Sequence, residues 1–482
     1  MTMHPLSARI AAVLAIDPGA GAIEYENRWL SWQVLANMAG KVCSLVGSDQ
    51  PQVGVLLRNT PAHIAALLGV LLSGATVVTI NPVRGDERTR ADIDQLDLPL
   101  LIGEPDDVTA LADSSAPVRI FGPAGELLAI RTGGLAAARP GVAVRMLTSG
   151  TTGPPKRVDL TYDMLIHSVL GPDAGTPPTT LRRGIAIVSA PLVHIGGVFR
   201  VLQCVVEARP FVLLDRFELD RWLEAVRKHQ PRTVSLVPAA LRTVLHSDVP
   251  REDLHSIVAV TCGTAALSAD DADAFTEKYG IPVLTSYAAT EFGGGVAGWT
   301  LTDYQKHWQT KRGSVGRASL GAQLRVVDDA GTPLGADQIG LLEVRPGQLG
   351  PEADWMRTTD LARIDADGFL WIVGRADQAI IRGGFKVMPD DVRSALESHS
   401  AVAAAAVVGK PDDRLGETPV AMVELREPGS VDAAALMDHL QTRLAPYEVP
   451  TDIVIVESIP RTPSGKADLS AVRQFFAAAV SG

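Results

Sequence analysis

A loop rich in hydroxyls and glycines is the first part of this sequence whose residues could do chemistry. It reads Leu147-Thr148-Ser149-Gly150-Thr151-Thr152-Gly153-Pro154-Pro155-Lys156 and follows a β-rich run. Backbone N–H groups, hydroxyl donors and a lysine ammonium together suit a polyphosphate. The loop is not a Walker A motif, because Gly150 and Gly153 are too close together and Lys156 follows a proline. Taken alone, such a loop is just as often an ordinary surface turn.

Further polar motifs follow the loop along the chain. They are Pro191-Leu192-Val193-His194, Gly263-Thr264-Ala265, Tyr287-Ala288-Ala289-Thr290-Glu291, Gly313-Ser314-Val315-Gly316-Arg317, Arg357-Thr358-Thr359-Asp360, Gly374-Arg375-Ala376-Asp377, Gly383-Gly384 and Pro460-Arg461-Thr462-Pro463-Ser464-Gly465-Lys466. Read singly, each has an ordinary explanation. Thr290-Glu291 would cap a helix, Asp360 would form a hairpin ion pair, and Lys466 would be a mobile surface lysine.

Taken together and in this order, the motifs resemble those of the adenylate-forming superfamily, which contains acyl-CoA synthetases, nonribosomal-peptide adenylation domains and luciferases. The string TSGTTGPPK closely resembles that family's phosphate loop, and the resemblance spans nearly the whole chain. Many independent motifs in the correct order and spacing make chance agreement negligible. The resemblance implies that a carboxylate is joined to ATP, giving an acyl-adenylate and pyrophosphate. The acyl group then passes to a thiol, usually that of coenzyme A.

The resemblance also assigns roles in binding ATP. Thr290 would hold the α-phosphate, and Glu291 would be an oxygen ligand of the Mg²⁺ that accompanies ATP. Asp360 would accept the ribose hydroxyls with support from Arg375, and Tyr287 would stack on adenine. The remaining residues ascribed to the nucleotide are Thr148, Ser149, Gly150, Thr151, Thr152, Gly153, Lys156, Gly263, Thr264, Ala265 and Ile372.

Four further assignments concern catalysis and movement. Lys466 would stabilise the charge that develops at the α-phosphate, and His194 would border the carboxylate pocket. Asp377 would be a hinge whose rotation withdraws the lysine loop and brings in Gly383-Gly384. The absent side chains there would leave room for the pantetheine arm of coenzyme A. Arg382 and Lys386 could meet the coenzyme A phosphates, although solvated surface charges explain them equally well.

The stretch Phe292-Gly293-Gly294-Gly295-Val296 would line the acyl pocket, because it is apolar, uncharged and nearly free of side chains. No aspartate typical of amino-acid-activating relatives is found in the motifs above, which favours a hydrophobic acid. The chain departs from the family at Ala288 and Thr359, where glycine is usual, and at Gln378, where a second acid is usual. The segment before Arg357 is shortened, which could widen or expose one side of the site.

Length and composition set outer limits on the function. The chain has 482 residues, 46% hydrophobic and 21% charged, which is typical of a folded globular protein. The net charge of −11 argues against nucleic acid or anionic lipid as a partner. Three isolated cysteines build neither a disulfide framework nor a zinc site, so we expect a reducing cytoplasm. We expect no signal peptide and no transmembrane segment, and a homodimer is compatible with the sequence.

The order of elements predicts an α/β fold. Short β-rich runs alternate with helical patterns from about residue 52, which indicates a large layered α/β body with covered sheets. A β-rich subdomain follows residue 312. A compact α+β domain completes the chain. We therefore predict an N-terminal AMP-binding domain over residues 1–375 and a small mobile C-terminal domain over residues 376–482.

The sequence thus predicts an ATP-dependent acyl-CoA ligase that activates a hydrophobic carboxylic acid, whether fatty, alicyclic or aromatic. ATP, Mg²⁺ and coenzyme A are the implied cofactors. Two alternatives stay open. One is an acyl-adenylate ligase that loads a carrier protein, and the other is a nucleotide-binding protein without turnover.

Overall fold

The computed structural model describes residues 3–83, 85–112, 117–148, 156–171, 175–383, 385–412, 414–462 and 465–478. The helices are α1 (Pro5–Leu14), α2 (Trp32–Val46), α3 (Pro61–Leu72), α4 (Asp86–Leu96), α5 (Pro105–Leu111), α6 (Tyr162–Leu170), α7 (Ile195–Val206), α8 (Leu219–His229), α9 (Pro238–Leu245), α10 (Ala269–Tyr279), α11 (Leu301–His307), α12 (Pro389–Glu397), α13 (Ala433–Gln441) and α14 (Leu469–Ala478). Short 3₁₀ turns lie at Arg251–Leu254, Thr290–Phe292, Gly347–Leu349 and Ala376–Gln378.

The strands fall into sheets that follow one another along the chain. They are β1 (Gly21–Tyr25), β2 (Arg28–Ser31), β3 (Gln52–Leu56), β4 (Thr76–Ile80), β5 (Leu100–Gly103), β6 (Val118–Gly122), β7 (Gly125–Arg131), β8 (Val142–Thr148), β9 (Lys156–Thr161), β10 (Ala186–Val188), β11 (Phe211–Leu213), β12 (Thr233–Leu236), β13 (Ala259–Cys262), β14 (Val283–Ala289), β15 (Gly294–Gly298), β16 (Arg317–Ala318), β17 (Gln323–Val327), β18 (Gly340–Arg345), β19 (Met356–Ile364), β20 (Leu370–Arg375), β21 (Ile380–Arg382), β22 (Phe385–Val387), β23 (Val402–Asp412), β24 (Gly416–Leu425) and β25 (Asp452–Val456).

The first large sheet has the strand order β6-β7-β5-β3-β4-β8-β9 and forms the centre of the N-terminal body. Strands β3 and β4 are parallel and buried at every position, which explains why they read as unbroken apolar runs. Helix α3 starts at Pro61, where a missing N–H costs nothing, and is buried over nearly its whole length. It packs on α2, and the apolar run from 64 to 80 is therefore a buried helix followed by a strand, as predicted.

A second sheet, β12-β13-β14-β15-β16, carries most of the polar motifs. Its strands β12, β13 and β14 are parallel, and helix α10 covers β14. Behind it, the antiparallel sheet β17-β18-β19-β20 confirms the β-rich stretch predicted after residue 312. The sequence analysis did not recognise that the Arg357–Asp360 motif itself lies within a strand, β19.

The last sheet, β22-β21-β24-β23 with β25 beside β24, is covered by α12, α13 and α14 and has apolar clusters of its own. Its order of strands and helices follows the prediction, to which β22 and α14 are additions. The boundary predicted between residues 375 and 376 falls between β20 and the 3₁₀ turn Ala376–Gln378, and it stays a prediction. The mixed α/β class is confirmed.

An ion cluster joins this last part of the chain to the N-terminal body. The Arg242 guanidinium on α9 lies 2.7 Å from Asp271 and 3.1 Å from Glu397 on α12. Arg393 contacts the same Glu397 carboxylate at 2.8 Å. The Arg242 and Glu397 side chains are largely buried, so water screens this contact little. Among the described residues, every helix is too short or too polar to cross a lipid bilayer.

Candidate active site

The polar motifs meet where neighbouring parallel strands end. Gly263-Thr264-Ala265 directly follows β13, and Thr290-Glu291 directly follows its neighbour β14. The carboxyl ends of parallel strands are the usual place for ligands in α/β sheets. Thr264 takes a left-handed backbone conformation with φ of 72°, and its side chain and that of Ala265 are exposed. The two motifs therefore present backbone and side-chain groups at one edge of the sheet.

Tyr287 and Asp360 are joined across two sheets. The Tyr287 hydroxyl donates a hydrogen bond to Oδ2 of Asp360, although the residues are 73 positions apart. Burial, and then the neighbouring Asp360 charge, raise the pKa of Tyr287 well above its usual range. The hydroxyl therefore stays a donor at every physiological pH. Oδ1 of Asp360 has no hydrogen-bond partner among the described residues and is left for an incoming donor.

Arg375 is held in place beside this pair. It lies opposite Asp360 in the pairing of β20 with β19. Its guanidinium donates to both oxygens of Asp377, at 2.9 and 2.7 Å, and to Oγ1 of Thr359 at 2.6 Å. The hydrogen bond to Asp377 is the main cause that raises the pKa of Arg375. Thr359, noted above only as a departure from the family, thus supplies a contact that glycine would lack.

Lys466 lies at the same site, although it is distant in sequence. Its ammonium interacts electrostatically with Arg375, Asp360 and Glu291. The surrounding protein desolvates the ammonium and lowers the pKa of Lys466, even though part of the side chain is exposed. Arg375 lowers the pKa further, whereas the two carboxylates oppose the shift. The structure therefore brings the C-terminal loop to the residues that the resemblance assigns to ATP.

His194 is the residue before helix α7 and lies within electrostatic reach of Lys466. Burial, and then the Lys466 charge, lower the pKa of His194 to about 4, so its imidazole is neutral at neutral pH. Its buried Nε2 has no hydrogen-bond partner among the described residues. A Cβ at Gly197 would collide with the carbonyl of Pro191, which explains the glycine here: α7 turns back closely on the Pro191–His194 turn.

Thr290 and Glu291 are the residues with which we tested a magnesium site. The Glu291 carboxylate is exposed, and within the described part of the chain it forms no ion pair or hydrogen bond. The Thr290 hydroxyl likewise has no protein hydrogen bond there. No group of three or more metal-ligating side chains occurs among the described residues. A single free carboxylate beside a phosphate site fits Mg²⁺, which usually takes one or two carboxylates and fills its shell with phosphate oxygens and water.

The predicted phosphate loop lies mostly outside the described residues. Ser149, Gly150, Thr151, Thr152 and Gly153 are in this part of the chain, and the backbone of Thr148 is described without its side chain. The loop's two ends are held together, because Thr148 pairs with Lys156 in the antiparallel hairpin of β8 and β9. The role of the loop stays a prediction.

The residues predicted for coenzyme A lie apart from the nucleotide residues. Gly383 donates its N–H to Leu415 at 2.7 Å and has a φ of 58°, while Gly384 is outside the described residues. Arg382 donates through Nη1 to the backbone carbonyls of Tyr447, at 2.8 Å, and Val449, at 3.0 Å. These bonds give Arg382 a structural task in the last sheet. Ile372 packs in the same apolar cluster as Tyr287.

The glycine run after Glu291 differs from its predicted role. Phe292 and Val296 are buried in the core rather than facing a pocket. A Cβ at Gly294 would collide with the Ser168 hydroxyl on α6, so this glycine allows close packing. Only Gly295 faces open space, with no atom within 4 Å of a Cβ placed there. Gln348, from the segment thought to expose the site, donates to the Gly295 carbonyl at 2.6 Å and packs that segment onto the run.

Comparisons with known proteins agree with this arrangement. The family model described as "AMP-binding enzyme" matches residues 11–351, and the one described as "AMP-binding enzyme C-terminal domain" matches residues 391–466. The chain belongs to this family, the adenylate-forming superfamily.

Curated relatives and a solved structure extend the likeness over the whole chain. A feruloyl-CoA synthase from Amycolatopsis sp is 30% identical over 96% of this chain and 97% of its own. The 4-coumarate–CoA ligase-like protein 5 of Oryza sativa subsp. japonica is 29% identical over 94% of this chain and 85% of its own. The ATP-bound MatB structure from Rhodopseudomonas palustris shares the fold, with a TM-score of 0.81 and 23% identity over 98% of each chain.

Proposed function

We propose that this protein is an AMP-forming acid–CoA ligase that activates a carboxylic acid with a hydrophobic body, whether fatty, alicyclic or aromatic. One observation carries the proposal. Lys466, from the C-terminal loop, lies within electrostatic reach of Asp360, Glu291 and His194, so a cation meets the proposed ribose, metal and carboxylate residues at one site. Two relatives are named for feruloyl and coumarate acids, and this supports the aromatic member of the substrate class.

In the first step the substrate carboxylate attacks the α-phosphorus of ATP. An acyl–oxygen–phosphorus bond forms and pyrophosphate leaves with the electrons of the broken bond. The Lys466 ammonium stabilises the negative charge that develops on the α-phosphate, and the Thr290 hydroxyl donates to it. Oδ1 of Asp360 accepts from the ribose, while Tyr287 and Arg375 fix the position of this part of the site. Mg²⁺, held through Glu291, would neutralise phosphate charge when bound.

In the second step the thiolate of coenzyme A attacks the acyl carbonyl carbon, and AMP leaves. The Lys466 loop occupies the site in the first step, so it must withdraw before a pantetheine arm can reach the carbonyl. Asp377 stands next to Arg375 at the end of β20, where a backbone rotation would move the whole last sheet. We assign the hinge to this position, with Gly383 and Gly384 on the surface that then faces the acyl-adenylate.

The test is incubation of the protein with ATP and Mg²⁺, with and without coenzyme A, and with a panel of fatty, alicyclic, aromatic and amino acids. Mass spectrometry reads the products. Acyl-CoA from one class of acid is the expected result. Acyl-adenylate without acyl-CoA would replace coenzyme A by a carrier protein as the acceptor. Absence of both products and of pyrophosphate from every acid would overturn the proposal in favour of a nucleotide-binding protein.

A further inference from the structure

Helix α7 carries one charged residue in an otherwise uncharged sequence, IGGVFRVLQCVV. This residue, Arg200, is partly exposed, and its guanidinium donates to Oε1 of Gln203 at 3.1 Å and to Oγ1 of Thr261 at 3.0 Å. Both partners are neutral. Among the described residues no carboxylate lies within 4.0 Å of this guanidinium. Glu207, further along the helix, instead contacts Arg182 and Arg209, each at 3.4 Å.

The charge on Arg200 is therefore left without a balancing anion. A guanidinium stays protonated in proteins at any physiological pH. Desolvation by the surrounding protein is the main influence on it and lowers the pKa of Arg200, against the opposing effects of Cys204 and Glu207. Taking a charge out of water is costly unless an opposite charge compensates. An anionic ligand group would supply that compensation here.

Open space borders the same face of α7. Gly196 lies one helical turn before Arg200, and a Cβ placed there would meet no atom within 4 Å. Helix α7 contacts β15, whose Gly295 also faces open space. His194, just before the helix, lies beside Lys466 at the proposed reaction centre. The open space therefore lies between the proposed position of the reacting carboxylate and the Arg200 guanidinium.

We propose that Arg200 binds a second carboxylate of the substrate, so that the acid this enzyme activates is a dicarboxylic acid. The inference rests on the proposed ligase function. One carboxylate reacts beside His194 and Lys466, the hydrophobic body lies along Gly196 and Gly295, and the other carboxylate accepts two parallel N–H bonds from the guanidinium. Six residues of helix separate His194 from Arg200, a rise of about 9 Å. Helical side chains lean towards the N-terminus, so the two carboxylates are closer than this.

A purely structural role for Arg200, which ties α7 to β13 through Thr261, predicts something different. Loss of that tie would weaken turnover of every acid alike. Loss of a carboxylate-binding group would weaken turnover of diacids alone. The discriminating quantity is therefore the ratio of kcat/KM between a diacid and its own monomethyl ester, which keeps one reactive carboxylate and loses the second charge.

The experiment measures pyrophosphate release for aliphatic diacids of increasing length and for aromatic diacids, each paired with its monomethyl ester. The wild type is expected to prefer the diacid by roughly 10-fold or more. Arg200→Met is expected to lower kcat/KM for the diacid by roughly 10- to 100-fold and to leave the ester within about 3-fold. Arg182→Met, which removes an exposed arginine that pairs with Glu207, is the matched control and should change neither.

A wild type that prefers the esters, or an Arg200→Met variant that loses both substrates equally, would overturn the inference and leave the ligase function standing. Should Arg200→Met fail to fold by thermal melting, Arg200→Lys takes its place, because it keeps the charge and loses the paired donors. Should no acid release pyrophosphate, the ligase function fails. Calorimetric binding of the diacid with a non-hydrolysable ATP analogue then decides the inference, which requires tighter binding to the wild type than to the variant.

Discussion

Two arginines of this site are treated in opposite ways. Arg375, on the nucleotide side, is bound to both oxygens of Asp377 and to Thr359, and it lies opposite Asp360. Arg200, on the acyl side, has only the neutral partners Gln203 and Thr261. The nucleotide is the same in every cycle, and its side of the site is balanced in charge before ATP arrives. On the acyl side a charge is left to be balanced, so discrimination between acids is built into the unmet requirement of one residue.

The largest effect expected on the nucleotide side follows from loss of its cation. Lys466→Met should lower the rate of acyl-adenylate formation by about 10² or more, the scale for one strong electrostatic contact. Thioester formation from supplied acyl-adenylate should survive, because the loop has then withdrawn. Single-turnover assays of each half-reaction measure this, with exposed Lys306→Met as the control. Equal losses in both half-reactions would remove Lys466 from the proposed role.

The same lysine predicts the response to alkali. Because the pKa of Lys466 is lowered, its positive charge is lost as the pH rises through a value below that of an ordinary lysine, about 10.4. Adenylation should therefore decline early on the alkaline side. Below neutrality, His194 should cause no change until the pH approaches its pKa of about 4. Rates from pH 5 to 10.5 test this, and Lys466→Arg, whose charge does not titrate, should abolish the alkaline decline if the assignment is correct.

Tyr287→Phe tests whether the nucleotide side is built before the ligand binds. Removal of the hydroxyl leaves Asp360 without its fixed partner, so KM for ATP should rise by roughly 10-fold, the scale of one hydrogen bond to a charged group. The value of kcat should change much less. Tyr304→Phe is the control, since that hydroxyl contacts Thr276 at 3.3 Å in a different part of the body. An unchanged KM for ATP would show that Asp360 does not depend on Tyr287.

The smallest effect expected is at Thr359. Thr359→Val keeps the shape suited to a strand and removes the hydroxyl that accepts from Arg375. Arg375 retains its two bonds to Asp377, so KM for ATP should rise only by roughly 2- to 10-fold. The residue is exposed, and the thermal midpoint should stay within about 2 °C of the wild type. A rise as large as that of Tyr287→Phe would mean that Arg375 depends on Thr359 more than on Asp377.

The sequence was sufficient for most elements and for the order of the motifs. Helix α3 and strand β4 were predicted because apolar runs and the proline and glycine signals act locally. The bond from Tyr287 to Asp360 could not be predicted, because it depends on how two sheets pack. The glycine run shows the same limit. Its lack of side chains was visible in the sequence, but the register of β14 with β15 decides that Gly295 alone faces open space.

Arg200 is the functional residue that the motif comparison passed over. A signal was present, since an arginine interrupts an apolar helix that follows directly after His194. The meaning of that signal depended on the partners of the guanidinium, and Thr261 lies 61 residues further along the chain. An uncharged surrounding is a property of the folded protein, and no pattern of spacing contains it.

The ion cluster of Arg242, Glu397 and Arg393 joins the N-terminal body to the last sheet in the arrangement that holds Lys466 at the site. If the chain rotates about Asp377, this largely desolvated contact must break and reform in every turnover. The salt concentration of the medium then acts as a selector between the two half-reactions. Dilute salt would hold the enzyme in its adenylating form, whereas concentrated salt would favour release towards coenzyme A, so the cell's ionic state could set how long an acyl-adenylate waits for its thiol.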